Sequence, residues 1–316
     1  MQQPLTRERP TGTVVAIVTF NSGDCVAALI ESVASEGARP PPRVYVIDNG
    51  STDDTLARAR EYPDVNVVET GANLGYSGGI NVARRFLERG EALAVLNPDL
   101  VLAPDALEKL QRAFDDPAVG IAVPLLRDPD GRVYPHLRRE PTISGSLGDA
   151  LFGARWPNRP RWMSDTLRHP RDYESAHDVA WAGGAALVIA PEVSERIGDW
   201  DHETYFLYSE ETDYARRTRD AGFRIRFVPE AQATHIGGAS GQSAPLLALM
   251  AVNRVRYFER HHGCLPSSVF RVVVALHHLL RSGDPRHRFA VRAVCSRAIW
   301  ATLPPGRPRS NVTARA

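Results

Sequence analysis

The sequence predicts an α/β fold: a mainly parallel sheet with helices on both faces, followed by a helical tail. Three observations predict it. Apolar, β-branched runs recur at intervals that leave room for one helix each. The segments between them carry apolar residues at helical spacing. The runs are continuous rather than alternating, as in strands buried on both faces.

"TVVAIVTF" (13–20) is the first such run. Val26, Leu29, Ile30 and Val33 then fall at i, i+3, i+4 and i+7 of a helix, with Ser22 or Asp24 available as its cap. "RVYVID" (43–48) is a second strand, followed by a polar turn from Asn49 to Thr52 and a short helix near 53–61. "VNVVET" (65–70) is the third, and Ile80, Ala83 and Leu87 mark the next helix. "ALAVLN" (92–97) is the fourth. Pro104 then opens a helix carrying Leu107, Leu110 and Phe114, and "VGIAVP" (119–124) is the fifth strand. Alternation at this spacing implies right-handed crossovers.

The chain has 316 residues, 43% hydrophobic and 24% charged, with a net charge of +1. That length supports one large core, or one core with an appendage. The near-neutral balance gives no case for nucleic-acid binding. Cys25, Cys264 and Cys295 are too scattered for a cysteine-based zinc site and suit a reducing compartment. No signal-like leader and no apolar run of about 18 residues is present, so the expectation is a soluble cytoplasmic protein.

In parallel sheets, ligands bind at the carboxyl ends of the strands. Those ends here are Thr19-Phe20-Asn21, Asp48-Asn49-Gly50-Ser51 and Asn97-Pro98-Asp99. Alone, the last is an ordinary turn; at a strand terminus, Asp99 becomes a candidate ligand-binding residue. "GANLGYSGGIN" (71–81) is either a flexible turn with a helix start or a close backbone approach to a nucleotide. The first turn, TFNSGD, lacks GxGxxG and a Walker lysine, which argues against ordinary dinucleotide and P-loop binding.

The ordered series TFN (19–21), DNGSTDD (48–54), NLGYSGGIN (73–81), LNPD (96–99), GGAALVIA (183–190), IGDWDHETYFLYSEETDYARRTRDAG (197–222) and PEAQATHIGGAS (229–240) resembles a family 2 glycosyltransferase. More narrowly, it is similar to the bacterial rhamnosyltransferase-like branch. The likeness spans roughly 13–262. It implies a GT-A fold, Rossmann-like, over 13–240, with a nucleotide-sugar-binding half (13–124) and an acceptor and catalytic half (125–240). It also implies a nucleotide-diphosphate sugar donor (a dTDP- or UDP-sugar, with rhamnose favoured), a divalent metal (Mg²⁺ or Mn²⁺) and inversion at the anomeric carbon.

Position by position, the resemblance makes Thr19, Asn21 and Asp48 donor-binding residues, with Asp48 on the base or ribose. An Asx-turn is the plain alternative for Asp48. Asn73, Gly75 and Asn81 match the loop that lines the nucleotide. Asn97 replaces the first acid of the metal-binding DxD, and Asp99 matches its last. His235 matches the distal metal ligand; an imidazole beside a carboxylate and donor phosphates tilts the choice toward Mn²⁺. In "YSEETDYARR", Glu211 stands where the family usually has its catalytic Asp, so it is the expected base, with Glu210 as fallback. Read without the family, these acids are a solvated first helical turn. Asp213 is expected to buttress the site or pair with an arginine. Trp181, Gly183, Gly184 and Asp201 match the acceptor side; packing for Trp181 and a helix cap for Asp201 are the alternatives.

The arginine-rich segment 125–180 reads as an acceptor-side insertion. A helical extension (241–302) and a disordered tail (303–316) follow, with Arg254 and Arg256 read as surface charge, facing a phosphate being the alternative. The basic amphipathic stretch 267–300 either packs on the domain or rests on an anionic membrane, where a lipid-linked acceptor would be met. A glycan or a small-molecule acceptor is equally open. One rival reading is a catalytically inactive nucleotide-sugar-binding relative, with Asn97 and Glu211 as its marks. Another, an unrelated dehydrogenase, is disfavoured by the missing GxGxxG.

Overall fold

The computed structural model describes residues 9–37, 40–153, 155–156, 158–237 and 243–304. Strands β1 (Gly12–Thr19), β2 (Arg43–Asp48), β3 (Val65–Glu69) and β4 (Glu91–Leu96) alternate with helices α1 (Val26–Ala34), α2 (Thr55–Ala59) and α3 (Gly75–Arg84). They pair in parallel in the order β3–β2–β1–β4, within a residue or two of the boundaries predicted from the sequence. Val26, Leu29, Ile30 and Val33 are the buried face of α1, as their spacing requires. Burial of each such side chain contributes about 1.5–3 kcal/mol.

Beyond β4 come β5 (Leu100–Leu102), α4 (Ala106–Arg112), β6 (Val119–Arg127), β7 (Leu137–Arg138), α5 (Ile143–Phe152), β8 (His177–Val179), β9 (Trp181–Ala182), β10 (Ala186–Ile189), α6 (Pro191–Ile197), α7 (Glu210–Asp220) and β11 (Arg224–His235). The sheet continues β4–β10–β6–β11–β5, with β8 also on β11. β10 runs antiparallel to both neighbours, and β5 and β8 run antiparallel to β11. Two of these reversals matter for the site. β10 and β5 deliver their amino ends to the edge where the parallel strands deliver their carboxyl ends. Gly183 and Gly184 therefore lead into β10 beside the end of β4, where the Asn97 amide donates to the Ala185 carbonyl (2.7 Å). The register His235↔Leu100 sets the end of β11 next to Asp99. β5 was not foreseen, because three residues carry no readable period.

The helical extension is α8 (Ala244–His261), α9 (Cys264–Leu279), α10 (Pro285–Cys295) and α11 (Arg297–Trp300). It has its own core, with Leu247, Val255, Phe258, Phe270, Val274 and Trp300 among its residues. Phe258 and Phe270 stack at 3.9 Å. Leu303, at the predicted start of the tail, is buried in this core; residues 305–316 lie outside the described residues. Arg254 and Arg256 are not free surface charge. Arg254 donates to Ser146 Oγ (3.1 Å), and Arg256 to Asn253 Oδ1 (2.9 Å) while lying over the Trp300 ring (5.3 Å).

Candidate active site

The metal candidates meet. His235 Nε2 lies 3.2 Å from Asp99 Oδ2, and the Ile236 amide donates to the Asp99 carbonyl (2.9 Å). Asp99 Oδ1 and His235 Nδ1 are both buried without a hydrogen-bond partner. A buried, unsatisfied carboxylate oxygen costs about 1–3 kcal/mol, which a bound cation would recover. Among the described residues no three His, Cys, Asp or Glu side chains converge on one point. The protein therefore offers one carboxylate and one imidazole. That set fits a divalent ion whose remaining ligands come from a diphosphate and water.

Glu210 and Glu211 open α7, just after Tyr208 and Ser209, both at positive φ (71° and 70°). Two consecutive non-glycine residues in the left-handed region store strain that the surroundings must hold. Glu210 is 4% exposed, and its Oε2 has no partner. Burial first, and then the neighbouring Glu211 charge, push its pKa well above the ordinary carboxyl range. Burial raises Glu211 as well, while hydrogen bonds and the nearby Arg138 charge hold it lower. Two neighbouring carboxyls, Glu210 buried and Glu211 half-buried, do not both ionise readily, so the proton stays on Glu210 and Glu211 carries the charge. A carboxyl raised in the folded state keeps a proton that the unfolded chain releases, so stability falls as pH climbs above the ordinary carboxyl pKa. Glu210→Gln, which mimics the protonated form, should raise Tm by about 2–4 °C near pH 8, and by less near pH 5. Thermal melts at both pH values check this.

Gly184 lies against Glu211. A Cβ there would sit 3.6 Å from Glu211 Cβ and 3.5 Å from Tyr76 Cε1, ordinary contacts that an alanine could make. Tyr76 Oη donates to the Gly184 carbonyl (2.8 Å). The Gly183 amide donates to the His136 carbonyl (2.9 Å). Trp181 is half-buried, with Nε1 donating to the Arg139 carbonyl (2.8 Å).

Several residues expected to touch ligand are occupied within the chain. Asp48 is buried and accepts from Thr19 Oγ1 (3.0 Å), from the amides of Gly50 (3.1 Å) and Ser51 (2.9 Å), and from Ser51 Oγ (2.5 Å). This is the Asx-turn alternative, and it fills the acceptor capacity of the carboxylate. Asn21, at φ 52°, ties the β1 and β2 loops together through Ser51 and Thr52. Asn73 Oδ1 accepts from the Gly75 amide (2.9 Å).

Gly75 and Asn81 are corrections to the sequence reading. A Cβ on Gly75 would meet the Phe206 carbonyl at 2.1 Å, so the close backbone approach here is to the protein's own chain. Asn81 Oδ1 accepts from the Trp200 amide (2.8 Å) and its Nδ2 donates to the Trp200 carbonyl (2.9 Å), which leaves the side chain no reach for a nucleotide. Tyr76 N–H donates to the Phe206 carbonyl (2.9 Å), and Ser77 Oγ to that of Tyr205. The NLGYSGGIN motif thus clamps the 200–209 loop that positions Glu210 and Glu211.

Asp201 belongs to that scaffold too. It accepts from Thr204 N–H (3.1 Å) and pairs with Arg260 of α8 (2.7 Å). Burial raises its pKa, but the Arg260 and Thr204 hydrogen bonds outweigh this and leave it below the usual carboxylate range, unsuited to act as a base. Arg260 also holds Asp213 (2.8 Å), which Arg217 holds from the other side (2.9 Å). Asn253 of α8 donates to the carbonyls of Leu207 (2.9 Å) and Tyr208 (3.0 Å). Phe20, not among the expected site residues, is 51% exposed at the carboxyl end of β1. An apolar ring between Thr19 and Asn21 in a polar strand exit was the available signal.

The family model for Glycosyl transferase family 2 matches residues 14–172. The chain belongs to this family and is a glycosyltransferase. It is 33% identical over 264 residues to the N-acetylglucosaminyl-diphospho-decaprenol L-rhamnosyltransferase of Mycobacterium tuberculosis, covering 79% of this chain and 85% of that protein. Its fold is shared with GalNAc-T7, solved with UDP, GalNAc and Mn²⁺ (TM-score 0.58, 18% identity, 78% of this chain and 48% of that one). It is shared equally with a mannosyltransferase from Pyrobaculum calidifontis in complex with GDP-Man and Mn²⁺ (TM-score 0.54, 17% identity, 95% and 77%). The GT-A-like fold expected from the motifs is therefore present.

Proposed function

We propose that the protein transfers a sugar, with rhamnose as first candidate, from a nucleotide diphosphate to an acceptor hydroxyl, with inversion at the anomeric carbon. The observation that carries this is the unsatisfied Asp99–His235 pair at the sheet edge where Gly184, leading into β10 beside the end of β4, lies against Glu211. Asp99 and His235 would hold a divalent ion, which supplies positive charge to the donor's diphosphate as the leaving group departs. Phe20 offers its exposed face to the base. Asn97 lies at the end of β4 to face the donor. Glu211 takes the proton of the attacking acceptor hydroxyl, and protonated Glu210 keeps the negative charge on its neighbour.

The mycobacterial relative's acceptor, a sugar on a lipid diphosphate, is the proposed acceptor class here. The direct test offers dTDP-rhamnose and UDP-sugars in parallel with a prenyl-diphospho-N-acetylglucosamine acceptor. Rhamnosyl transfer supports the reading; transfer only from UDP-sugars would replace the sugar assignment.

The helical extension supports a location at a membrane surface. Residues 243–304 carry nine arginines and two acids, Glu259 and Asp284, in a chain whose net charge is +1. On α9, Leu265, Val269, Val272 and Leu279 share one outward face and are 42–77% exposed, with Leu276 between them. No helix among the described residues is long and apolar enough to cross a membrane. A positively charged bundle with one unpartnered apolar face suits lying on an anionic bilayer. Vesicles containing phosphatidylglycerol should sediment the protein, and Val272→Glu should abolish this while leaving the melting temperature near that of wild type. Equal sedimentation of both proteins would contradict it.

A further inference from the structure

We infer that Arg138 and Arg168 form an anion subsite beside Glu211 that receives the diphosphate of the acceptor. This deepens the acceptor reading above and rests on it. β7 pairs with β9 in the register Arg138↔Trp181, and a bridge joins Arg138 to Thr166. The Leu167 amide donates to the Leu137 carbonyl (3.0 Å), which continues the antiparallel pairing and sets Arg168 opposite His136. Because side chains alternate, Arg138, Arg168 and Trp181 share one face, while Leu137, Leu167 and Ala182 fill the core on the other. Cross-strand diagonal neighbours lie about 7–8 Å apart, within reach of two long side chains converging on one ligand.

Among the described residues neither guanidinium forms an ion pair. Among the described residues, Arg138 donates only to the carbonyls of Pro135 (2.9 Å) and Leu137 (3.2 Å) and lies over the Trp181 ring (5.8 Å). Arg168 makes no hydrogen bond there, and its Nε is buried without a partner. Other arginines close to the site are matched: Arg217 and Arg260 with Asp213, and Arg216 and Arg219 with Glu140. Burial lowers the pKa of Arg138, and the Arg168 charge adds in the same direction. Two half-buried cations that repel each other, in a chain carrying 37 acidic residues, mark a position shaped for a bound anion. Guanidinium groups are the natural donors to phosphate oxygens, and two of them match a diphosphate. Trp181, opposite Arg138, stands three residues before Gly184, whose Cβ would sit 3.6 Å from Glu211 Cβ, so this anion would lie close to the base.

The test titrates the full chain with inorganic pyrophosphate by calorimetry in chelator, which disables the metal site, with and without UDP. Affinity for UDP and for dTDP in Mn²⁺ is measured separately and doubles as the folding check. Wild type should bind pyrophosphate without competition from UDP. Arg168→Gln should weaken that binding at least about tenfold, a double substitution with Arg138→Gln should weaken it further, and UDP affinity should stay unchanged. Unchanged pyrophosphate binding in both variants would overturn the subsite. Competition by UDP, or a fall in UDP affinity, would also overturn it by moving the pair to the donor. Failure of the wild type to bind either dTDP or UDP in Mn²⁺ would instead count against the nucleotide-sugar reading of the site.

Discussion

Glu211→Gln is expected to lower sugar transfer by about 10²- to 10⁴-fold while nucleotide affinity stays within a few fold of wild type. The substitution keeps the side-chain volume and removes only the ability to accept a proton. The base works on the acceptor, so donor binding in Mn²⁺ is the internal control. The wild-type rate should rise with pH through the Glu211 ionisation, pushed up to about 7 by burial. A carboxyl with a raised pKa is active as a base only above that pKa, so the profile must climb through this range rather than near the ordinary carboxyl value. Steady-state kinetics across pH, with both variants, check it. Glu210→Gln should retain most of the activity, because Glu210 is protonated already.

Asp99→Ala should abolish metal-dependent donor binding and leave thermal stability unchanged or slightly raised. The carboxylate is buried with one oxygen unsatisfied, so its removal relieves a polar atom rather than breaking a network. His235→Ala should weaken metal use more than it weakens nucleotide binding in chelator. Calorimetry with and without Mn²⁺ separates the two. Unaltered donor affinity for Asp99→Ala in Mn²⁺ would remove the metal assignment.

Much of the fold was legible because burial leaves a periodic trace. β1, β2 and the buried face of α1 stand where their apolar residues predict. The candidate metal pair was legible only through the resemblance, since 136 residues separate Asp99 from His235 and nothing local links them. The missed β5 is what joins them, through its register with β11. Gly75 and Asn81 were misassigned for a different reason. A glycine-rich loop announces that something comes close to the backbone, but not whether it is a ligand or the loop at Phe206. Asp201 reads as an acceptor-side acid or a helix cap, because its partner Arg260 lies 59 residues away on a helix of the extension. Contacts between distant segments leave no local signature, and here they fix the strained entry into α7.

The most direct measurement is donor consumption by the intact protein across a panel of nucleotide sugars with Mn²⁺, followed as free nucleotide released. Site chemistry as proposed predicts that one donor is consumed, that chelator stops it, and that Glu211→Gln slows it while the nucleotide still binds. A protein that binds a nucleotide sugar in Mn²⁺ yet consumes none, with acceptor present or absent, would contradict catalysis and leave a binding module built on a glycosyltransferase fold.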